Sequence, residues 1–161
     1  MALPSAGRPR VRFAIPVAMA MVAAIVAACG GITVTEPPAT PTDFPGLTGR
    51  LNAAQVEVRD WVSGDAGCDD PDLVPAAIRF SASGLDQATP VTVRLFVFRN
   101  RAAFERHRAA VGPCAMAWVT DPATYEEVQE SPYVLAGQGP WAPRFEAALR
   151  EVLATAAGTG G

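Results

Sequence analysis

Residues 91–111 read VTVRLFVFRNRAAFERHRAAV, and a change of period inside this stretch decides the fold class. Up to Phe98 the period is two: Val91, Val93, Leu95 and Val97 fall on one face, and Thr92, Arg94, Phe96 and Phe98 on the other. Successive side chains leave a strand on opposite sides, so this is a strand with both faces in use. After Asn100 the apolar positions Ala103, Phe104, His107, Ala110 and Val111 follow the spacing i, i+1, i+4, i+7, i+8. A helix gathers that spacing on one stripe, and an asparagine just before it caps the first unpaired amides. A strand running directly into a helix places the chain among mixed folds.

Downstream, Gly112-Pro113 is expected to stop or kink this helix. Residues 125–136 admit two readings, because Asp121-Pro122 resembles a helix cap whereas Pro132 and the run Tyr133-Val134-Leu135 favour an extended edge strand. The strand is the reading taken. The last helix is plain: Phe145, Ala148, Leu149, Val152, Leu153 and Ala156 share a stripe, with Glu146 and Arg150 paired outside it. Upstream, Ala54, Val56, Val58 and Val62 alternate with Gln55, Glu57, Arg59 and Trp61, predicting a half-buried strand over 52–62 that SGDAG ends. Asp70-Pro71-Asp72 opens a short helix, residues 78–82 form a second strand, and Ser83-Gly84-Leu85-Asp86 begins a turn.

The order strand, short helix, strand, strand, helix, strand, helix resembles a ferredoxin-like α+β sandwich with an added C-terminal helix. An antiparallel sheet of about four strands with helices packed on it is expected for a single domain over residues 47–157, followed by a tail over 158–161. Cys68 and Cys114 bear on the connectivity. The ferredoxin-like arrangement brings them to the same end of the sheet, whereas a simple three-strand meander separates them. An exported domain pairs such cysteines, and closing a loop of about 47 residues contributes about 4 kcal/mol through chain entropy.

Export is read from the start of the chain. Arg8, Arg10 and Arg12 precede the 16 residues Phe13–Ala28, of which only Pro16 is not apolar in type. This is a signal peptide's charged region followed by its apolar region. A spanning helix needs about 20 such residues, and no positive cluster follows Ala28. Val26-Ala27-Ala28-Cys29 resembles the lipobox of bacterial lipoproteins, a resemblance confined to residues 1–29. It implies cleavage before Cys29 and acylation of the Cys29 thiol. It also implies a lipid anchor in the cell membrane or outer membrane, with the domain on the extracytoplasmic side. At about 0.8 kcal/mol per buried methylene, more than one chain anchors durably. Residues 30–46, GGITVTEPPATPTDFPG, carry four prolines among threonines and no sustained apolar period. With Cys29 they form a tether over 29–46 that, extended, spans roughly 50 Å.

The chain has 13 basic residues, all arginine, against 16 acidic ones, for a net charge of −3. Removing residues 1–28 takes three arginines and no acid, leaving 10 against 16, or −6. An acidic body gives no reason to expect nucleic acid. With one histidine, no lysine and no G-x-S-x-G elbow there is no nucleophilic constellation, and two cysteines committed to a staple leave no zinc set. His107 on its apolar stripe reads as a packed histidine. No cofactor is expected. Asp65, Asp69, Asp70 and Asp72 offer oxygen ligands without EF-hand spacing, and equally suit a solvated turn with a helix cap. Backbone amides after SPYVLAGQGPW (131–141) suit an anion at a helix start, and Trp118, Tyr125, Tyr133 and Trp141 a stacking platform; a simple turn and core packing explain both. The candidate binding surface is the sheet face bearing Arg59, Arg79 and Arg94 with Trp61, Phe96 and Phe98, where guanidinium beside aromatic surface suits a small anionic ligand or an envelope protein partner. The competing expectation is that the C-terminal helix covers these aromatics. A non-catalytic binding module is the preferred reading. The alternatives are an envelope enzyme using carboxylates such as Glu126, Glu127 or Asp70, and a purely structural lipoprotein.

Overall fold

A computed structural model describes residues 42–158; the leader 1–28, Cys29, the tether to residue 41 and residues 159–161 lie outside the described residues. The elements in order are α1 (Phe44–Ala53), β1 (Val56–Ser63), β2 (Ala77–Gly84), β3 (Gln87–Val97), α2 (Arg101–Ala115), β4 (Tyr125–Glu130), β5 (Tyr133–Gln138) and α3 (Pro143–Ala157). Short 3-10 turns stand at Val74–Ala76 and Pro122–Thr124. All strand pairings are antiparallel, in the order β1-β2-β3-β5-β4. The architecture is α+β, with a five-stranded sheet and a C-terminal helix.

The strand order corrects the ferredoxin-like expectation. β1, β2 and β3 form a plain meander, and the β4–β5 hairpin adds on through β5 against β3. Cys68 and Cys114 nevertheless form a disulfide, with Cα atoms 5.5 Å apart. The inference from cysteines to connectivity fails because residues 64–76 do not stay at the end of β1. Cys68 lies five residues past Ser63, a reach of roughly 17 Å when extended, and is carried off the strand end by residues 64–76. They fold back over the sheet, burying Ala66 and Leu73 against Phe96, Phe98 and Phe104.

The start of the domain also differs from expectation. Residues 44–53 are helix, and β1 begins only at Val56. Asp43 caps α1 by accepting from Gly46 N at 2.9 Å, Pro45 sits in the first turn, and Leu47 and Leu51, one turn apart, are buried. The backbone amide of Thr42 donates to Ala156 O at 2.9 Å, so the folded body begins before residue 47 and the tether ends earlier than Gly46. Two glycines and only two buried apolar positions made this helix faint in the sequence. Helix α2 runs through Gly112-Pro113 to Ala115. A proline this near the C-terminus removes a single hydrogen bond from the last turn, too little to end the helix before Ala115.

Helices cover both faces of the sheet. On one, Phe80, Val93, Leu95, Val128, Tyr133 and Leu135 pack with Leu47 and Leu51 of α1 and with Phe145, Leu149, Val152 and Leu153 of α3. On the other, Ala77, Phe96, Val134 and Ala136 meet Phe104 and Val111 of α2 and the 64–76 loop. The register fits this division: Leu95 faces Leu135, and the next pair, Phe96 and Val134, points the opposite way. Helix α3 lacks a cap of its own at Ala142. Asp86, in the β2–β3 turn, supplies it by accepting from Arg144 N at 3.0 Å and Phe145 N at 2.9 Å.

Candidate functional site

Among the described residues, Arg94 is the one charged residue that is buried, at 8% exposure. The alternation of β3 turns it toward the α2 face, directly opposite Arg79 of β2. Two guanidinium groups in register on neighbouring strands repel unless a counter-charge intervenes. Asp65 provides it. Its Oδ1 accepts from Arg94 Nη2 at 3.1 Å, its Oδ2 from Arg79 Nε at 2.6 Å, and its main-chain oxygen from Arg94 Nε at 3.2 Å. Partial burial alone would raise the Asp65 pKa; the hydrogen bonds and charges of Arg79 and Arg94 outweigh it and hold the carboxyl below its ordinary range.

The Arg94 guanidinium also lies over the Trp118 ring, 4.2 Å from its centroid. Gly67 presses on this stack. A Cβ built there would collide with Trp118 Cδ1 and fall 2.8 Å from Arg94 Cζ, and φ at Gly67 is +77°, so both space and backbone require glycine. Indole Nε1 of Trp118 is buried without a hydrogen-bond partner. The disulfide fastens this arrangement from outside, since Cys68 follows Asp65 by three residues and Cys114 precedes Trp118 by four. A cleft of about 480 Å³ opens beside Arg94, lined by Val91, Thr92, Trp118, Gln138 and Gly139. Gln138 is held in place by Thr120 and Thr124, whose groups bond both ends of its amide. A larger groove of about 630 Å³ runs between α1 and α3, with Arg50, Arg144 and Glu151 among its lining residues, but no buried charge faces it.

The expected arginine and aromatic face is therefore divided. Arg79 and Arg94 come together. Phe96 and Phe98 are buried, covered by α2 and the 64–76 loop and not by the C-terminal helix, which packs on the opposite face. Arg59 is exposed and paired with Glu57 of its own strand. Trp61 lies elsewhere, edge-on to Phe44 of α1 and 61% exposed. A bulge between Arg59 and Val62, with Asp60 at φ +52°, inserts one residue and reverses the facing of the rest of β1.

The other candidates are also dispersed. Asp70 caps the turn into Leu73, accepting from Asp72 N and Leu73 N, while Asp72 faces His107 Nδ1 at 3.7 Å. His107 stacks on Phe98. With Asp65 held by arginines, the four aspartates do not converge, and no group of three or more metal-ligating side chains is gathered among the described residues. Glu127 accepts from the Tyr125 hydroxyl, which burial and that carboxylate push above its ordinary range. The amides at the start of α3 that were candidates for an anion are taken by Asp86. Tyr133 and Trp141 belong to the α1/α3 face and Trp118 and Tyr125 to the other, so these rings make no common platform.

Sequence reasoning missed Asp65, Gly67 and Trp118 as parts of one cluster. The spacing of Asp65 and Trp118 around the two cysteines was the available signal. No protein-family model, curated protein or solved structure matches the chain.

Proposed function

We propose that this chain is an exported, lipid-anchored, non-catalytic module of the bacterial cell envelope that binds a small anionic ligand in the cleft beside Arg94. One observation carries the binding half of this reading: a buried guanidinium stands at the wall of an open cleft, in a cluster with two positive charges and one negative. Arginine is weakly hydrated, flat and always charged, which suits it to hold an anion against an aromatic ring. The anchoring half rests on the leader and on Cys29. Among the described residues no helix is long and apolar enough to cross a membrane.

Titration of the ¹⁵N-labelled protein with acetate, phosphate and sulfate, followed at the arginine Nε resonances, tests the binding half. A saturable shift at Arg94 Nε, with a parallel shift at Trp118 Nε1 that Arg94→Ala abolishes, is the expected result; no shift with any anion overturns it. Mass spectrometry of the mature N-terminus tests the other half. An unmodified or absent Cys29 removes the anchor.

A further inference from the structure

The Asp65 carboxylate does more than neutralise charge. Its two oxygens are divided between two arginines from neighbouring strands, Oδ2 on Arg79 and Oδ1 on Arg94, as a bound carboxylate would divide them. Among the described residues, no hydrogen bond occupies Arg94 Nη1 or either terminal nitrogen of Arg79. The cluster therefore keeps unused donors and a surplus positive charge next to the cleft.

The segment that delivers Asp65 is bounded by Gly64 and Gly67, both at positive φ (+80° and +77°). Beyond them Cys68 is tied to α2. Ala66 is buried and Gly64 N donates to Ala77 O at 2.8 Å, so the backbone of residues 64–67 is held and the movement the site needs is a rotation of the Asp65 side chain. The Asp65 side chain is 31% exposed, so solvent and solute reach the pair without unfolding the domain.

We infer that Arg79 and Arg94 form a carboxylate-binding site whose present occupant is the chain's own Asp65, and that a carboxylate-bearing ligand binds by displacing Asp65 from Arg94. This rests on the proposed anion-binding function for the location of the site and adds the ligand's chemistry and what it competes with. An intramolecular carboxylate acts at an effective concentration in the millimolar range or above, so the ligand's apparent affinity is lowered by the fraction of time Asp65 is seated.

Succinate is the probe, with sulfate as the comparison anion, and calorimetry on the full domain with its disulfide intact is the measurement. Asp65→Asn keeps the side chain's shape and removes its charge; it is expected to bind succinate about tenfold or more tightly than the wild type. In the wild type, the Asp65 amide and the Arg79 and Arg94 Nε signals are expected to shift together with one midpoint, a measurement that needs no variant to fold. Three results overturn the inference. If the wild type binds succinate but Asp65→Asn binds no tighter, Asp65 is a tie and not an occupant. If Arg94 shifts while Asp65 does not, there is no displacement. If sulfate binds more tightly than succinate, the carboxylate class is wrong. In each of these the anion-binding reading survives, whereas the absence of any anion effect at Arg94 removes both.

Discussion

On one face of the sheet, α1 and α3 lay down leucine, valine and phenylalanine over a continuous apolar core; on the other, α2 and the 64–76 loop cover fewer apolar residues and bury Arg94 beside a half-exposed Arg79. The first face is closed by area: at roughly 25 cal/mol per Å² of apolar surface, large buried side chains stabilise it without directional contacts. The second is closed by a covalent staple and a charge cluster, because a loop without regular structure cannot hold itself down by apolar burial alone. The difference teaches where to look for function. Burying a charge on the apolar face would oppose folding, whereas the stapled face tolerates one and leaves it beside a cleft.

The largest test of this contrast lies on the apolar face. Phe145 is fully buried, and Phe145→Ala is expected to cost roughly 3–5 kcal/mol in urea denaturation. A loss below about 1 kcal/mol would mean that α3 is not a principal stabilising element. On the other face, replacing Cys68 and Cys114 together by alanine is expected to cost about 4 kcal/mol by the same measurement. An unchanged midpoint would show that the loop stays down without its staple. Arg94→Leu is next, at about 2 kcal/mol, since it removes hydrogen bonds to a charged partner and leaves Asp65 without its buried counter-ion.

Acid weakens both faces, through Asp65 on the stapled one and through the α3 cap Asp86 on the apolar one, and Asp65→Asn isolates the first. The folded Asp65 pKa lies below its unfolded value, so the stability it contributes is fully present above about pH 4 and is lost as pH falls through the lower, folded value. The urea midpoint should decline in that window and decline less in Asp65→Asn. Equal slopes in the two proteins would show that the arginines do not hold the carboxylate. The smallest effect belongs to Trp61. It is 61% exposed, and Trp61→Ser is expected to change stability by less than about 0.5 kcal/mol.

Much of the fold was legible from single stretches. The alternation over 91–98 and the stripe of Phe145, Leu149 and Val152 encode a strand and a helix, because each pattern matches one backbone period and no other. The Asn100 cap is local too, with its side chain accepting from Ala103 N. Helix α1 was hidden because its two buried leucines form too short a period to separate from an adjoining strand. The site was half legible. Arg79 and Arg94 were assigned to one face and the β2–β3 register puts them there, whereas Trp61 was assigned to that face by an alternation that the Asp60 bulge interrupts. Asp65 carried no sign of its role among four neighbouring aspartates, since its partners lie 14 and 29 residues away.

By itself the sequence determined the period of most elements and the placing of two cysteines, Cys68 and Cys114, in the folded domain. These properties come from backbone geometry and local chemistry, which act over a few residues. Tertiary structure alone decided the strand order, the return of the 64–76 loop across the sheet, the capping of α3 by Asp86 and the seating of Asp65 between Arg79 and Arg94. Each joins groups far apart in the chain. Such contacts depend on which apolar faces must be buried together, a choice made by the whole core and not by any one segment.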